Sequence, residues 1–251
     1  RKGVTDASTI TTATPIENAT VVTKYQDGSN REFQVVAKQI SPLKKDLVTM
    51  TLYDQFNRES IKYLPYVAST GNFNDGKLKQ NPFANTIQFN SGINSGEQIF
   101  YGKVEFDGSP LNSVRKVAAP GNSWAGAGRA VNYFERANVL SDSVRRWSIG
   151  FSIDDIPINE GIYVAGELFV KEEVDEDGGR SVNYIDIQGR TVLSRKQQAA
   201  SATSGHMGWS NTYFVYDELN RLRVVIPPLA VESIISDWKL NTGNIMKNLC
   251  Y

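Results

Sequence analysis

Short runs in which apolar and polar residues trade places fill most of this chain. VVTKY (21–25), REFQVVAKQI (31–40), LVTMTLY (47–53), ESIKYLPY (59–66), GIYVAGELFVKEEV (161–174), RSVNYIDI (180–187), RTVLSRK (190–196), TYFVYD (212–217) and RLRVVIPP (221–228) mix β-branched or aromatic residues with polar ones. Several alternate with a period of two, the pattern of a half-buried strand. Gly, Asn, Asp and Ser separate the runs, as turn formers do. Only LAVESIISDWKLN (229–241) has a helical period. Two prolines precede it, Leu229, Ile234, Ile235 and Trp238 share a face, and Gly243 follows as a stop signal. The pattern predicts an all-β fold of repeated β-hairpins with one short helix near the C-terminus.

Other segments lack such a period. Residues 67–98 and 118–130 are rich in Gly, Asn, Ser and Ala and read as long loops. Residues 197–211 read as a mobile loop or hairpin tip, and residues 1–20 as an extended or disordered lead-in. The expected organisation is therefore a lead-in over 1–20 and a β-rich module over 21–251. Hairpins at 21–66 and 180–228 flank an irregular insert at 67–179.

One string recurs at the ends of the runs. Asp27 to Arg31, Asp54 to Arg58, Asp186 to Arg190 and Asp217 to Arg221 share the order Asp-x-x-(Asn or Gly)-Arg, with a tyrosine one or two residues ahead. Aspartate favours the first position of a type I turn, where its carboxylate accepts from backbone N–H groups. The third residue on must take a positive φ, and Asn30, Asn57, Gly189 and Asn220 tolerate that best. The arginine then opens the return strand. The competing reading makes each Asp a general acid and each Arg a substrate clamp. Catalytic constellations do not usually recur four times in one chain, so the string reads as a turn device within a repeat architecture. VDEDGGRSV (174–182) reads as a degenerate further turn.

Composition narrows the function classes. The chain has 27 basic and 27 acidic residues, so no net field recruits nucleic acid or an anionic membrane. No apolar run is long enough to span a bilayer as a helix. One cysteine, Cys250, excludes an internal disulfide and a cysteine-based metal site. His206 is the only histidine and sits among small residues in ATSGHMGWS, where it reads as a solvated bystander rather than a catalytic base. Carboxylates at Asp154, Asp155, Glu160 and Glu167 are too ordinary a set to mark a glycosidase. DEDGG (175–179) lacks the later ligands of a calcium loop, and GAGRA (126–130) lacks the GK[ST] of a phosphate loop. The sequence points to no catalytic residue, cofactor or metal. Trp124 and Trp209 are candidate stacking platforms for a ligand, alongside a reading as interior plugs.

The ordered set YQDGSNREFQ, SPLKKDLVTMTLYDQFNRESIKYLPY, DGSPLNSVRKVAAPGNSW, YIDIQGRTVLSRK and TYFVYDELNRLRVVIPP resembles RHS/YD-repeat proteins. In particular it is similar to the N-terminal module, a domain of unknown function, that opens the RHS-like region of large secreted proteins from Bacteroidota. The likeness covers roughly residues 20–251. Two departures stand out. Gly28-Ser29-Asn30-Arg31 replaces the Gly-Leu-Gly-Arg common at the first turn, and Ser113 stands where an arginine often follows SPLN, which puts any role of that arginine in doubt.

The resemblance implies repeats that coil into a hollow β-shell, and a secreted or cell-surface protein exported by the type IX pathway. The expected role is a non-enzymatic structural module for assembly, display or encapsulation. Its expected partners are further RHS-like repeats, or a protein covering the open edge near 212–228, with outer-membrane secretion components as another candidate. The alternatives are a surface adhesin for glycan or protein and a secretion substrate.

Overall fold

Strand formation follows the alternation. In the segment Trp209–Tyr216 every second side chain is buried: Trp209, Asn211, Tyr213 and Val215 point into the core and the residues between them do not. The computed structural model describes residues 19–152 and 154–241, together with Ser8, Thr11, Thr14, Ile16, Glu17 and Gly243. Most of the expected lead-in over 1–20 lies outside the described residues, as does Cys250. The chain divides into two compact units, Arg1–Val131 and Asn132–Tyr251. The division falls inside the segment read from sequence as an insert.

The first unit holds β1 (Val22–Gln26), β2 (Glu32–Ala37), β3 (Leu47–Tyr53), β4 (Glu59–Tyr63), β5 (Tyr66–Val67), α1 (Pro82–Ile93), β6 (Tyr101–Phe106) and β7 (Val114–Ala118). The strands lie antiparallel in the order β1-β2-β3-β4-β6-β7, and β5 pairs with the start of β3. The apolar core is small: Val36, Val48, Tyr66 and Ala68, with Tyr25 and Phe89 against them. Polar ties supplement it. Buried Gln34 holds both backbone groups of Lys79, accepting its N–H at 2.7 Å and donating to its carbonyl at 3.2 Å. The Lys79 ammonium in turn pairs with fully buried Asp46 at 2.6 Å, which fastens the loop before α1 to the sheet.

Two sequence expectations are corrected here. Residues 67–98 are not wholly loop, because α1 occupies the middle, so the helix near the C-terminus is not alone. Helix α1 buries Thr86 and Asn90 and leaves Phe83, Ile87 and Ile93 exposed. That inverts the usual amphipathic rule, which is why periodicity does not reveal it. Pro82 at its first turn is a conventional start. The insert also contains a regular hairpin, β6–β7.

The second unit takes all but the first residue of β8 (Val131–Ala137). It continues with β9 (Arg145–Ser148), β10 (Ile158–Ile162), β11 (Phe169–Val174), β12 (Arg180–Ile185), β13 (Thr191–Gln197), β14 (Trp209–Tyr216), β15 (Leu222–Ile226) and α2 (Pro228–Ile234). Its main sheet is antiparallel in the order β8-β11-β12-β13-β14-β15, and β9 and β10 form a separate hairpin. The run 161–174, read as one strand, is broken between β10 and β11 by a turn at Gly166, whose φ of 87° favours glycine. Helix α2 lays Ala230, Val231 and Ile234 into the core and ends earlier than the pattern over 229–241 predicts. Trp238 then takes φ 55° and folds back into the same core. The sheet, α2 and Trp238 together bury Val144, Leu168, Val170, Val182, Tyr184, Leu193, Tyr213 and Ile226.

Candidate interaction site at the hairpin turns

The four recurring strings close four hairpins, and each is built alike. The Asp N–H donates to the Arg carbonyl, at 2.9 Å for Asp27, Asp54 and Asp186 and 3.0 Å for Asp217. Asn30, Asn57, Gly189 and Asn220 take φ of 61°, 64°, 80° and 61°, and each donates its N–H back to the Asp carbonyl. One carboxylate oxygen accepts the N–H groups two and four residues on. The other accepts the arginine Nε at 2.7–2.8 Å. Both oxygens are thus committed within the turn. The hydrogen bond from Arg31 is the main reason the Asp27 carboxyl is held below its ordinary range. At Asp54 and Asp217 burial acts upward, and hydrogen bonds from backbone and guanidinium outweigh it, so both are also lowered.

Beside each turn the two strands slip register by one residue, leaving Phe33, Ser60, Val192 and Arg223 as bulge residues. Bulges of this kind re-aim side chains near a strand end. Here they accompany a second, long-range use of the arginine. Arg31 Nη1 donates to Asn57 Oδ1 of the next turn at 2.6 Å, and Arg190 Nη1 donates to Asn220 Oδ1 at 2.8 Å. Arg58 Nη1 reaches the Asp107 carbonyl at 3.0 Å and Asn112 Oδ1 at 3.5 Å. Each guanidinium also lies over the aromatic ring just ahead of the next aspartate. Arg31 is 5.1 Å from the Tyr53 ring centre, Arg58 4.5 Å from Phe106 and Arg190 5.0 Å from Tyr216. The arginine of one turn is therefore clamped between an amide oxygen and a π face of the following one.

The rungs have direction, set by residue type. Turn 54–58 has a receiver in Tyr53 and Asn57 and a donor in Arg58. Turn 27–31 donates only, because Gln26 stands where the ring would be. Turn 107–113 receives through Phe106 and Asn112, whose φ is 56°, but Ser113 replaces the arginine and passes nothing on. The expected doubt about that position is answered by Arg115, which reaches Asp107 only at 3.6 Å. The degenerate turn Asp175–Gly179 keeps the backbone bonds of the others, but glycine fills the arginine position and Arg180 pairs with Glu172 at 2.7 Å instead.

Residues 1–137 match the family described as Domain of unknown function (DUF6443). The match covers more than half of the chain. The chain belongs to the DUF6443 family. Among curated proteins none matches it. The DUF6443 match takes in turns 27–31, 54–58 and 107–113, while turns 186–190 and 217–221 repeat the same rung beyond it.

Residues singled out for other chemistry fall elsewhere. His206 is not solvated: it is buried against Trp238 and Tyr213. Burial first, then the positive charges of Arg195 and Arg145, pushes its pKa down to about 3. Its loop carries few hydrophobic residues, so sequence offers no sign of this burial. Trp209 is also buried; Arg180 covers its ring at 5.2 Å and its Nε1–H donates to the Thr203 carbonyl at 2.7 Å. It offers no open platform to a ligand. Trp124 is half-buried, with Arg129 at 4.5 Å over one face. Asp155 and Glu167 accept from the backbone N–H groups of Ser152 and Val164, and Glu167 also pairs with Arg146. Among the described residues no group of His, Cys, Asp and Glu is arranged to hold a metal, and no helix is long and apolar enough to cross a membrane. Cavities in the first unit, about 270 Å³ beside Asn72 and Lys79 and about 400 Å³ beside Leu43 and Phe89, collect no set of catalytic side chains.

Proposed function

We propose that this protein is a non-enzymatic structural module whose hairpins are locked turn to turn, opening an RHS-like β-shell that serves assembly, display or encapsulation. The observation that carries the reading is the separation of the aspartates. Each stands alone at its own ribbon corner with both oxygens spent inside the turn, and what passes between corners is a guanidinium. Groups so engaged are poorly suited to move protons on a substrate. The likeness to YD-repeat proteins extends the proposal to a secreted or cell-surface protein carried by the type IX pathway.

The test is the thermal stability of Arg31→Ala and Arg58→Ala. Each variant removes a bond within a turn and a rung between turns. Loss of a charge-assisted hydrogen bond of this kind lowers Tm by about 5 °C in a chain of this size. Unchanged melting in both variants, or a hydrolytic activity lost with an aspartate of the turns, overturns the proposal.

A further inference from the structure

Turn 217–221 has the makeup of an inner rung. It receives Arg190 through Asn220 and Tyr216, as turn 54–58 receives Arg31. It also carries its own donor, Arg221, whose Nε binds Asp217 at 2.8 Å as in the other turns. The next step is missing. Neither terminal nitrogen of Arg221 meets an acceptor, and no aromatic ring lies under its guanidinium, among the described residues. Its side chain is 57% exposed, against 30%, 11% and 25% for Arg31, Arg58 and Arg190. Among the described residues the strand it opens, β15, ends the sheet order and pairs with β14 alone. Arg223, on the same strand, donates to the carbonyls of Gly150 and Ser152 through its side chain. No backbone group of those residues pairs with β15 among the described residues.

We infer that Arg221 and the outer edge of β15 form a docking site for a β-hairpin with an aromatic residue directly before a turn aspartate and a left-handed asparagine three residues after it. The incoming strand pairs antiparallel with β15, the asparagine amide oxygen accepts from Arg221 Nη1, and the ring slides beneath the guanidinium. The two rungs that meet an Asp-x-x-Asn turn within the chain, Arg31 with Tyr53 and Asn57 and Arg190 with Tyr216 and Asn220, define this partner. Turn 27–31 does not qualify, because Gln26 supplies no ring, so head-to-tail pairing of two copies through β1 is disfavoured. The inference rests on reading the interlocked turns as scaffold and names the partner of that scaffold.

The probe is a fluorescent cyclised peptide of residues 47–63, LVTMTLYDQFNRESIKY, titrated by anisotropy into the full chain. Cyclisation is needed because an isolated hairpin is marginal in water. Saturable binding is expected, weakened about tenfold or more by Arg221→Ala in the protein, or by Asn57→Gly or Tyr53→Leu in the peptide. Arg221→Lys keeps a charge beside Asp217 but not the planar fork, so it should fold normally and still bind weakly. No binding to the wild-type chain, or binding as tight as wild type by folded Arg221→Lys and Arg221→Ala chains, overturns the docking site. If docking fails while Arg58→Ala melts early, only the docking is lost. If Arg31→Ala and Arg58→Ala both melt unchanged, the scaffold reading itself falls.

Discussion

The Tyr213 hydroxyl lies 2.7 Å from His206 Nε2 while it accepts the backbone N–H of Arg145 at 2.9 Å. A neutral ring with its proton on Nδ1 leaves Nε2 to accept the hydroxyl proton, the tautomer that also suits the donor-only guanidinium beside the same nitrogen. Arg195 Nη2 lies 3.5 Å from the same nitrogen and opposes protonation there.

A pH dependence follows. His206 has a folded pKa of about 3, below the unfolded value of about 6.5. The unfolded chain then binds a proton that the folded chain refuses. The stabilisation is complete above about pH 6.5 and is lost as pH falls toward 3, amounting to about 2 kcal/mol by pH 5. Urea unfolding at pH 7 and pH 5 should show that loss in the wild type and little of it in His206→Gln. With one histidine in the sequence, no other side chain with an ordinary pKa titrates in that interval. A flat wild-type profile would show that His206 is solvated.

Below about pH 4 a different set takes over. The carboxyls of Asp27, Asp54 and Asp217 are lowered in the folded state. Their contribution is therefore present above the unfolded carboxyl pKa and disappears as pH falls through that value and then the folded one. Asp217→Asn should weaken the protein at pH 7 and flatten the acid limb of its Tm profile, without altering the change between pH 7 and pH 5. An unaltered acid limb would argue that the carboxylate is not held by Arg221.

Asn57 has two separable duties, a left-handed backbone and an amide oxygen for Arg31. Asn57→Gly keeps the first and loses the second, and should cost about 1 kcal/mol. Asn57→Ala loses both and should cost about 2 kcal/mol. Equal stabilities of glycine variant and wild type by urea titration would remove the rung from the energetics.

Arg195 tests the other polar cluster. It is buried and, among the described residues, has no carboxylate of its own; Nη2 donates to the Asp142 carbonyl at 2.7 Å, Nη1 to Ser204 O at 3.0 Å and Tyr184 Oη at 3.1 Å, and Nε to Asn211 Oδ1 at 3.1 Å. The Asp142 carboxylate is taken by Arg136, at 2.7 Å to each oxygen, and by the Tyr184 hydroxyl. Arg195→Met fills similar volume but strands those acceptors, and should destabilise by about 3 kcal/mol. A loss under about 1 kcal/mol would mean that water reaches the site and substitutes for the guanidinium.

Where information was local, the bare chain sufficed. The aspartate, the left-handed asparagine or glycine and the arginine of a turn lie within five residues, and their bonds to one another are set by backbone sterics and one carboxylate, so Asp54 to Arg58 can be read without a fold. The alternation of β14 is local in the same sense. Tertiary structure alone decided what lay across longer separations. Asn57 is 26 positions from the arginine it receives, and nothing in a single hairpin says that Tyr53 is a platform for Arg31. Helix α1 leaves no trace in the hydrophobic pattern because Gln34 and Asp46 fasten its preceding loop through polar bonds, so the helix need not bury an apolar stripe. The burial of His206 is hidden for the same cause: it is dictated by Trp238 and Tyr213, which reach it from elsewhere in the chain, and hydrophobic pattern around a residue reports only on its own segment.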